Sequence, residues 1–187
     1  MISDLGCYKC VSAMKQILPI LTLTTLTAAA FADAGAAAPA AAASGLSYNR
    51  VGVSYVTNGT DHPYGLQASA FIGSSNVLVS ASADLTAAGD DSASIGYVFK
   101  GVAAGIDATV SVSSNDVYGI NLRRSLGEVL SGLEIAVGYS SASGSDKNDS
   151  WTYELSYNVT KQYSVAYSIQ DAQGSGSVNS VAIRYNF

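Results

Sequence analysis

Charged side chains are scarce in this sequence. They make up 12% of the residues, about half of the share found in soluble globular domains, whereas hydrophobic residues make up 48%. Long apolar runs are also missing, because from residue 46 onward none approaches the roughly 20 residues that a membrane-spanning helix requires. The composition therefore argues against an ordinary water-soluble core and against a bundle of membrane helices.

Residue types that hold metals or carry out catalysis are few. The two cysteines, Cys7 and Cys10, form a CxxC pair without a second pair of ligands, and His62 is the single histidine. The sequence contains no glycine-rich phosphate loop and no nucleophile elbow. We therefore expect no metal, no cofactor, no catalytic residue and no enzymatic activity. Acidic residues outnumber basic ones by 14 to 9, which argues against a nucleic-acid partner.

The first 45 residues differ from the rest of the chain. The charged tripeptide MKQ at 14–16 precedes the apolar stretch ILPILTLTTLTAAA, which ends in the small-x-small pattern AFA at 30–32. We predict that residues 1–32 comprise an upstream extension and a cleavable signal peptide that starts at Met14. Residues 33–45, DAGAAAPAAAASG, lack side chains that could build a core and are predicted to form a flexible periplasmic leader.

From Leu46 to Phe187, apolar and polar residues alternate with a period of two, which is typical of β-strands that expose two different faces. We count ten such segments, each about as long as a tilted strand that crosses a bilayer. The segment from Trp151 to Val159 is an example, and the fifth segment is predicted to start at Val102. The predicted fold is an all-β, transmembrane, antiparallel up-and-down barrel of about ten strands over 46–187, with eight strands as the alternative.

The connections between these segments alternate in length. Four of the odd-numbered connections are long, namely TNGTDHPY, TAAGDDSA, SSASGSDKNDS and DAQGSGSVN, whereas three even-numbered ones, GSSN, KGVA and NVTKQ, are short. Long outer loops and short inner turns are typical of outer-membrane barrels. The short outer connection SSND and the long inner turn around Gly127 depart from this trend.

Aromatic side chains fall on the apolar face and gather at the two ends of the segments. Amphipathic aromatics concentrate where a membrane meets water, so we predict two girdles in contact with outer-membrane lipids and lipopolysaccharide. The predicted outer girdle consists of Tyr55, Tyr64, Tyr118, Tyr139 and Trp151. The predicted inner girdle consists of Tyr97, Phe99, Tyr157, Tyr163, Tyr185 and Phe187.

Charged residues within the segments fall on the opposite, small and polar face, which we assign to the lumen. A charged side chain facing lipid at the bilayer midplane costs about 2–4 kcal/mol for Arg or Lys, and only Arg124 has lipid-face parity. Counting through the turns suggests a ladder of Asp107, Arg123 and Glu134, with three separately solvated charges as the alternative. The predicted lumen charges are Arg50, Asp84, Lys100, Asp107, Arg123, Glu134, Glu154 and Arg184.

The chain ends on SVAIRYNF, in which Tyr185 stands two residues before a terminal Phe187. With the alternation over 46–187 and the cleavable leader, this ending resembles the small outer-membrane β-barrel proteins of Gram-negative bacteria. The resemblance implies a bacterial outer-membrane location, escort by periplasmic chaperones and recognition of Val181, Ile183, Tyr185 and Phe187 by the barrel-assembly machinery. It also implies that the last strand closes on the first, which would bring Arg184 near Arg50.

Several activities fit such a barrel. The first hypothesis is a narrow porin-like channel for small polar solutes or ions, because the lumen face is rich in Gly, Ser and Ala. The alternative is a closed structural or surface-interaction barrel whose lumen charges fill the interior and whose acidic loops could bind divalent cations. A remote alternative is an omptin-like protease, since Asp61-His62 and Asp90-Asp91 fall in outer loops, but the chain lacks the extended wall of that family.

Overall fold

The computed structural model describes residues 45–57, 64–86, 91–143, 149–174 and 176–187. It consists of ten antiparallel strands, each paired with its neighbours in sequence, and β1 also pairs with β10. The predicted all-β, ten-stranded up-and-down barrel is therefore confirmed. The strands are β1 Arg50–Val56, β2 Tyr64–Phe71, β3 Val77–Asp84, β4 Ser92–Ala103, β5 Ile106–Ser113, β6 Val117–Ser125, β7 Leu133–Ala142, β8 Asp149–Asn158, β9 Tyr163–Ala172 and β10 Gly176–Asn186.

The barrel closes between the first and last strands. Val51 lies opposite Tyr185, and Val53 lies opposite Ile183. The N–H of the terminal Phe187 donates a hydrogen bond to the Asn49 carbonyl at 3.0 Å. Closure satisfies the backbone groups that the edge of an open sheet would leave unpaired, which a strand in a lipid environment requires. We call the end of the barrel where β1 begins and β10 finishes the inner end, and the opposite end the outer end.

Side chains alternate between the lumen and the outer surface along each strand. In β10, Ala182, Arg184 and Asn186 are buried inside the barrel, whereas Val181 and Ile183 are exposed on its exterior. The alternation is inverted relative to a soluble barrel, because the apolar side chains cover the outside. Large exposed apolar residues of the exterior include Val53, Ile95, Ile120, Leu122, Leu155 and Ile183.

Exterior aromatics lie in pairs at both ends of the barrel, and Tyr153 and Tyr167 lie between these ends on β8 and β9. At the outer end, the ring centroids of Tyr139 and Trp151 are 5.0 Å apart, and those of Tyr55 and Tyr64 are 5.2 Å apart. At the inner end, the pairs Tyr97–Phe99 and Tyr163–Tyr185 have centroid distances of 4.9 Å and 5.4 Å. An apolar belt between two bands of aromatics suits a lipid bilayer, and the protein has the architecture of an outer-membrane β-barrel. Within the described residues, no helix is long and apolar enough to cross a membrane.

The predicted start of the fifth strand at Val102 is wrong. β4 continues to Ala103, and β5 begins only at Ile106. The pairing of β4 with β5 shifts between Phe99 and Ala103, where Gly101 has a positive φ of 61°, so this stretch forms a bulge rather than the turn. The chain turns at 104–105, where both residues have positive φ, as tight hairpins require.

The connection between β6 and β7 forms a compact turn at the inner end. The Leu126 carbonyl accepts hydrogen bonds from the N–H groups of Val129 and Leu130 at 2.8 and 3.0 Å. Arg124, on the exterior near the start of this turn, forms an ion pair with Glu128 at 2.8 Å. Both charged groups remain partly exposed, which fits a position at the membrane boundary.

Several predictions fall outside the described residues. They include the signal peptide within 1–32, the leader up to residue 44, His62 with its neighbour Asp61, and Asp90.

Candidate functional site: the lumen and its inner mouth

The segment 45–49 lies inside the mouth of the barrel at the inner end and is called the plug below. Leu46 and Tyr48 are 6% and 4% exposed, and with Val98 they form a small apolar core, against which Phe71 and Leu78 pack. These two plug residues follow the same alternation as the wall strands, so the sequence pattern did not separate them from the barrel wall. In the structure they lie inside the lumen, before the first wall strand begins at Arg50.

Tyr48 is the central side chain of the plug. Its hydroxyl donates a hydrogen bond to Asp107 Oδ2 at 2.9 Å. The other carboxylate oxygen of Asp107 accepts the Gly101 N–H at 2.8 Å. The Arg123 guanidinium carbon lies 4.6 Å from the centroid of the Tyr48 ring, within the range of a cation–π contact. The plug is therefore held by a buried polar contact as well as by apolar packing.

The plug backbone is also bound to the wall. The Ser69 hydroxyl donates to the Tyr48 carbonyl at 2.7 Å. The Asn49 side-chain oxygen accepts the N–H of Phe71, the last residue of β2, at 2.9 Å. These contacts satisfy polar groups that would otherwise be buried without partners as the plug enters the barrel.

Arg123 connects the plug to the wall on the opposite side. Its Nη1 donates to the carbonyl of Ser47 at 3.0 Å, and its Nη2 lies 2.8 Å from Glu134 Oε2. The other Glu134 oxygen accepts a hydrogen bond from the Asn158 amide at 2.8 Å. Asp107 lies opposite Arg123 in the register of β5 and β6. Of the suggested ladder, Arg123 pairs with Glu134, and Asp107 accepts the Tyr48 hydroxyl on the neighbouring strand.

A second buried ion pair joins Arg184 to Glu154, two strands away. Arg184 Nη1 and Nη2 donate to the two Glu154 oxygens at 2.6 and 2.5 Å, a bidentate arrangement. Gly52 lies opposite Arg184 on β1, and a Cβ at position 52 would come within 2.8 Å of Arg184 Cγ. The absence of a side chain at this glycine gives the arginine its space.

Arg50 differs from the other two lumen arginines. Among the described residues, no hydrogen bond or ion pair reaches its guanidinium, although it interacts electrostatically with Arg123, Arg184, Glu134 and Glu154. Arg184 and Arg50, which were expected to lie near each other, thus differ in their partners. Glu154 binds Arg184 through both oxygens, and Arg50 keeps its donors available to the lumen.

Asp84 and Lys100 lie at the rims of the barrel. At the outer end, Asp84 Oδ1 accepts hydrogen bonds from the N–H and hydroxyl of Thr86, each at 2.8 Å. At the inner end, Lys100 Nζ lies 4.8 Å from the centroid of the Phe71 ring. Both side chains carry charge near an opening, whereas the other six predicted lumen charges lie in the middle and inner parts of the barrel.

A cavity of about 300 Å³ extends from the plug toward the outer end. Its floor includes Tyr48, Arg50, Arg123 and Glu154. Above the floor, short hydroxyl side chains cover the wall and bond to one another across strands, with 2.6 Å between the oxygens of Ser80 and Ser94. Polar residues of the wall are Gln67, Ser69, Ser80, Ser82, Ser92, Ser94, Thr109, Ser111, Asn121 and Thr152. This surface can replace part of the hydration shell of a small polar solute.

The part of the chain that the structure describes contains no group of three or more His, Cys, Asp or Glu side chains able to hold a metal ion. Of the loop residues considered for a protease, Asp61, His62 and Asp90 lie outside that part, whereas Asp91 Oδ1 accepts the Asp84 N–H at 3.2 Å.

No protein-family model matches the sequence, and no curated protein matches it. Among solved structures, the chain is similar to a KdgM porin in complex with disordered oligogalacturonate, at 12% identity and a TM-score of 0.49, over 74% of this chain and 99% of that one. It is similar to the NanC porin at 13% identity and a TM-score of 0.46, over 74% and 98% of the two chains. It is also similar to the Acinetobacter baumannii outer membrane protein Omp33 at 10% identity and a TM-score of 0.36, over 76% and 100%.

Proposed function

We propose that the protein is a narrow outer-membrane channel for small polar solutes or ions. The observation that carries this proposal is the hydroxyl-lined cavity of about 300 Å³, which opens from the plug toward the outer end. A barrel of ten strands is only slightly wider than a barrel of eight strands, and side chains can fill the interior of the smaller barrel. Here the wall residues above the plug are too small to do so.

In this proposal the constriction lies at the inner end. Tyr48 occupies the middle of the mouth, and the ion pairs Arg123–Glu134 and Arg184–Glu154 line its sides. The solute passes between these groups, so small changes in the plug should alter the conductance more than changes in the outer half of the lumen. A path bounded by charged groups also favours ions and polar solutes over apolar ones.

Single-channel recording of the purified protein in planar bilayers tests the proposal. We expect stepwise currents whose size depends on salt concentration, and a larger unitary conductance for Tyr48→Ala because this change removes the ring from the mouth. Tyr153→Ala is the matched control, since Tyr153 is 49% exposed on the lipid-facing surface. Absence of current from the folded protein at high density would contradict the channel.

The second candidate is a closed barrel that serves as a structural or surface-interaction element. The observation that favours it is the plug, in which Leu46, Tyr48 and Val98 pack together in a buried cluster at the inner mouth. Under this hypothesis the wild-type protein carries no current. A current that appears only in Tyr48→Ala would identify the plug as the closing element and would support this candidate over the channel.

We also propose that the last strand is the signal for insertion by the barrel-assembly machinery, after escort by periplasmic chaperones. Tyr185 lies near the inner end of the closing strand and packs against Tyr163 on the exterior, and Phe187 follows the last residue of that strand. The supporting feature is that Val181, Ile183 and Tyr185 form one continuous exterior face of the strand that completes the barrel.

A further inference from the structure

The three arginines in the inner part of the lumen differ in what binds them. Arg123 donates to Glu134 and to the Ser47 carbonyl, and Arg184 donates to both oxygens of Glu154. Arg50 carries five N–H donors, and among the described residues no hydrogen bond or ion pair to them is found.

The carboxylates near Arg50 are already engaged. Both Glu154 oxygens are bound by Arg184, and both Glu134 oxygens are bound, one by Arg123 and one by the Asn158 amide. Asp107 accepts the Tyr48 hydroxyl and the Gly101 N–H and is 1% exposed, so it does not line the cavity. Within the described part of the chain, the positive charge of Arg50 therefore has no carboxylate of its own.

Arg50 lines the floor of the cavity, below short polar side chains. Hydroxyl and amide donors from Ser69, Ser80, Ser94 and Asn121 line the same space. The volume of about 300 Å³ would hold a small oxyanion together with several water molecules, because each water takes about 30 Å³ in the liquid. A guanidinium binds carboxylate, phosphate and sulfate groups through two parallel hydrogen bonds.

We propose that Arg50 and the hydroxyl-lined cavity above it form a binding site for a small oxyanion of the carboxylate, phosphate or sulfate class. This inference rests on the proposed function, since it names the class of solute that the channel selects. An anion that enters from the outer end meets the Arg50 guanidinium at the floor, next to two further arginines whose own partners neutralise them.

Titration calorimetry of the folded protein in detergent with inorganic phosphate tests the site directly. We expect saturable binding to the wild type and at least tenfold weaker binding to Arg50→Gln. Arg50→Lys should have an intermediate affinity, because it keeps the positive charge but cannot form the two parallel hydrogen bonds of a guanidinium. Lys100→Gln is the matched control, because it removes a cation from the inner rim, outside the cavity, and should bind phosphate as the wild type does. Each variant is first checked for the heat-modifiable gel shift of a folded barrel.

Ion selectivity supplies an independent measurement. Under a KCl gradient in planar bilayers, the wild type should show a reversal potential on the anion-selective side, and Arg50→Gln should lose this preference. Phosphate binding that is absent from the wild type, or unchanged in Arg50→Gln, would overturn the site. If Arg50→Gln does not fold, wild-type affinity in Arg50→Lys overturns the two-bond recognition by the guanidinium.

Failure of the Arg50 site and failure of the channel give different results in the binding and current measurements. Current without phosphate binding would leave the channel standing and remove the Arg50 site. Phosphate binding that depends on Arg50, in a protein that carries no current, would support the site and remove the channel.

Discussion

The hydroxyl of Tyr48 donates a hydrogen bond to Asp107 at 2.9 Å, across 59 residues of sequence. The contact joins a residue that precedes the first strand to the inner end of β5. Neighbouring strands of the wall follow one another in sequence and pair as hairpins, except β1 and β10, which pair across the closure of the barrel. The plug therefore adds long-range contacts to a wall in which most pairing is local.

The Tyr48 hydroxyl should contribute to stability independently of its ring. Tyr48→Phe keeps the packing against Phe71 but leaves a buried carboxylate with one hydrogen bond fewer. We expect the free energy of unfolding to fall by about 1–3 kcal/mol. Urea unfolding in lipid vesicles, followed by tryptophan fluorescence, measures this. Tyr153→Phe on the lipid-facing surface is the control, and equal effects of the two changes would show that the Asp107 contact does not stabilise the barrel.

Removing one partner of the Arg184–Glu154 ion pair should destabilise the barrel more than removing both partners. Glu154→Gln leaves the buried Arg184 charge without a carboxylate, and we expect a loss of about 3–5 kcal/mol. The double variant Glu154→Leu/Arg184→Met should recover most of this loss, because it leaves no uncompensated charge in the lumen. The same unfolding measurement applies, and a wild-type free energy of unfolding for Glu154→Gln would refute the expectation.

The close approach at Gly52 should make the seam between β1 and β10 intolerant of a side chain. A Cβ at this position would lie 2.7 Å from the Ile183 carbonyl oxygen and 2.8 Å from Arg184 Cγ. We expect Gly52→Ala to destabilise the barrel by about 1–3 kcal/mol, as overpacking does elsewhere. In the control Gly119→Ala, the nearest atom is the Ser111 hydroxyl oxygen at 3.0 Å, which can rotate away. The temperature that abolishes the folded band in gel-shift experiments should fall for Gly52→Ala only.

A charged side chain on the exterior should destabilise the barrel more the deeper it lies in the bilayer. Leu155 lies in the middle of β8 and is 50% exposed, so Leu155→Arg should lower the free energy of unfolding by about 2–4 kcal/mol. Val159, just beyond the inner end of β8, is 58% exposed, and Val159→Arg should cost about 0–1 kcal/mol because its charge reaches the interface. Equal costs in lipid vesicles would contradict the assignment of the belt to the membrane.

The terminal aromatic should matter for insertion more than for the finished barrel. Phe187 is 36% exposed and follows the last residue of β10, so Phe187→Ala leaves the strand pairing of the barrel in place. We expect this variant to give less folded protein in outer-membrane fractions, whereas Phe187→Tyr should behave as the wild type does. Unaltered amounts of folded Phe187→Ala in the membrane would argue against recognition of this residue during assembly.

Much of the fold could be predicted from local pattern, because each strand faces two different solvents. Ile183 and Arg184 show the reason: exposed exterior side chains and buried lumen side chains alternate from Val181 to Asn186 in the closing strand. The turn after β4 was misplaced because the bulge at Gly101 and the positive φ of Ala104 leave no distinct pattern in the sequence. Leu46 and Tyr48 were included in the barrel over 46–187 because they continue its alternation in phase with the lumen residue Arg50, and this pattern does not distinguish a wall strand from a segment inside the lumen.

The sequence by itself indicated ten strands, with eight as the alternative, through its period of two and its turn residues, and it indicated the face that meets lipid through the placement of aromatic and charged side chains. The resemblance to small outer-membrane barrels implied the closure of the last strand on the first. Only the tertiary structure decided how the lumen charges pair. Strand tilt and side-chain length let Arg184 reach Glu154 two strands away, and Gly52 gives it room. The same geometry brings the plug under Arg123 and leaves Arg50 at the floor of an open, hydroxyl-lined cavity.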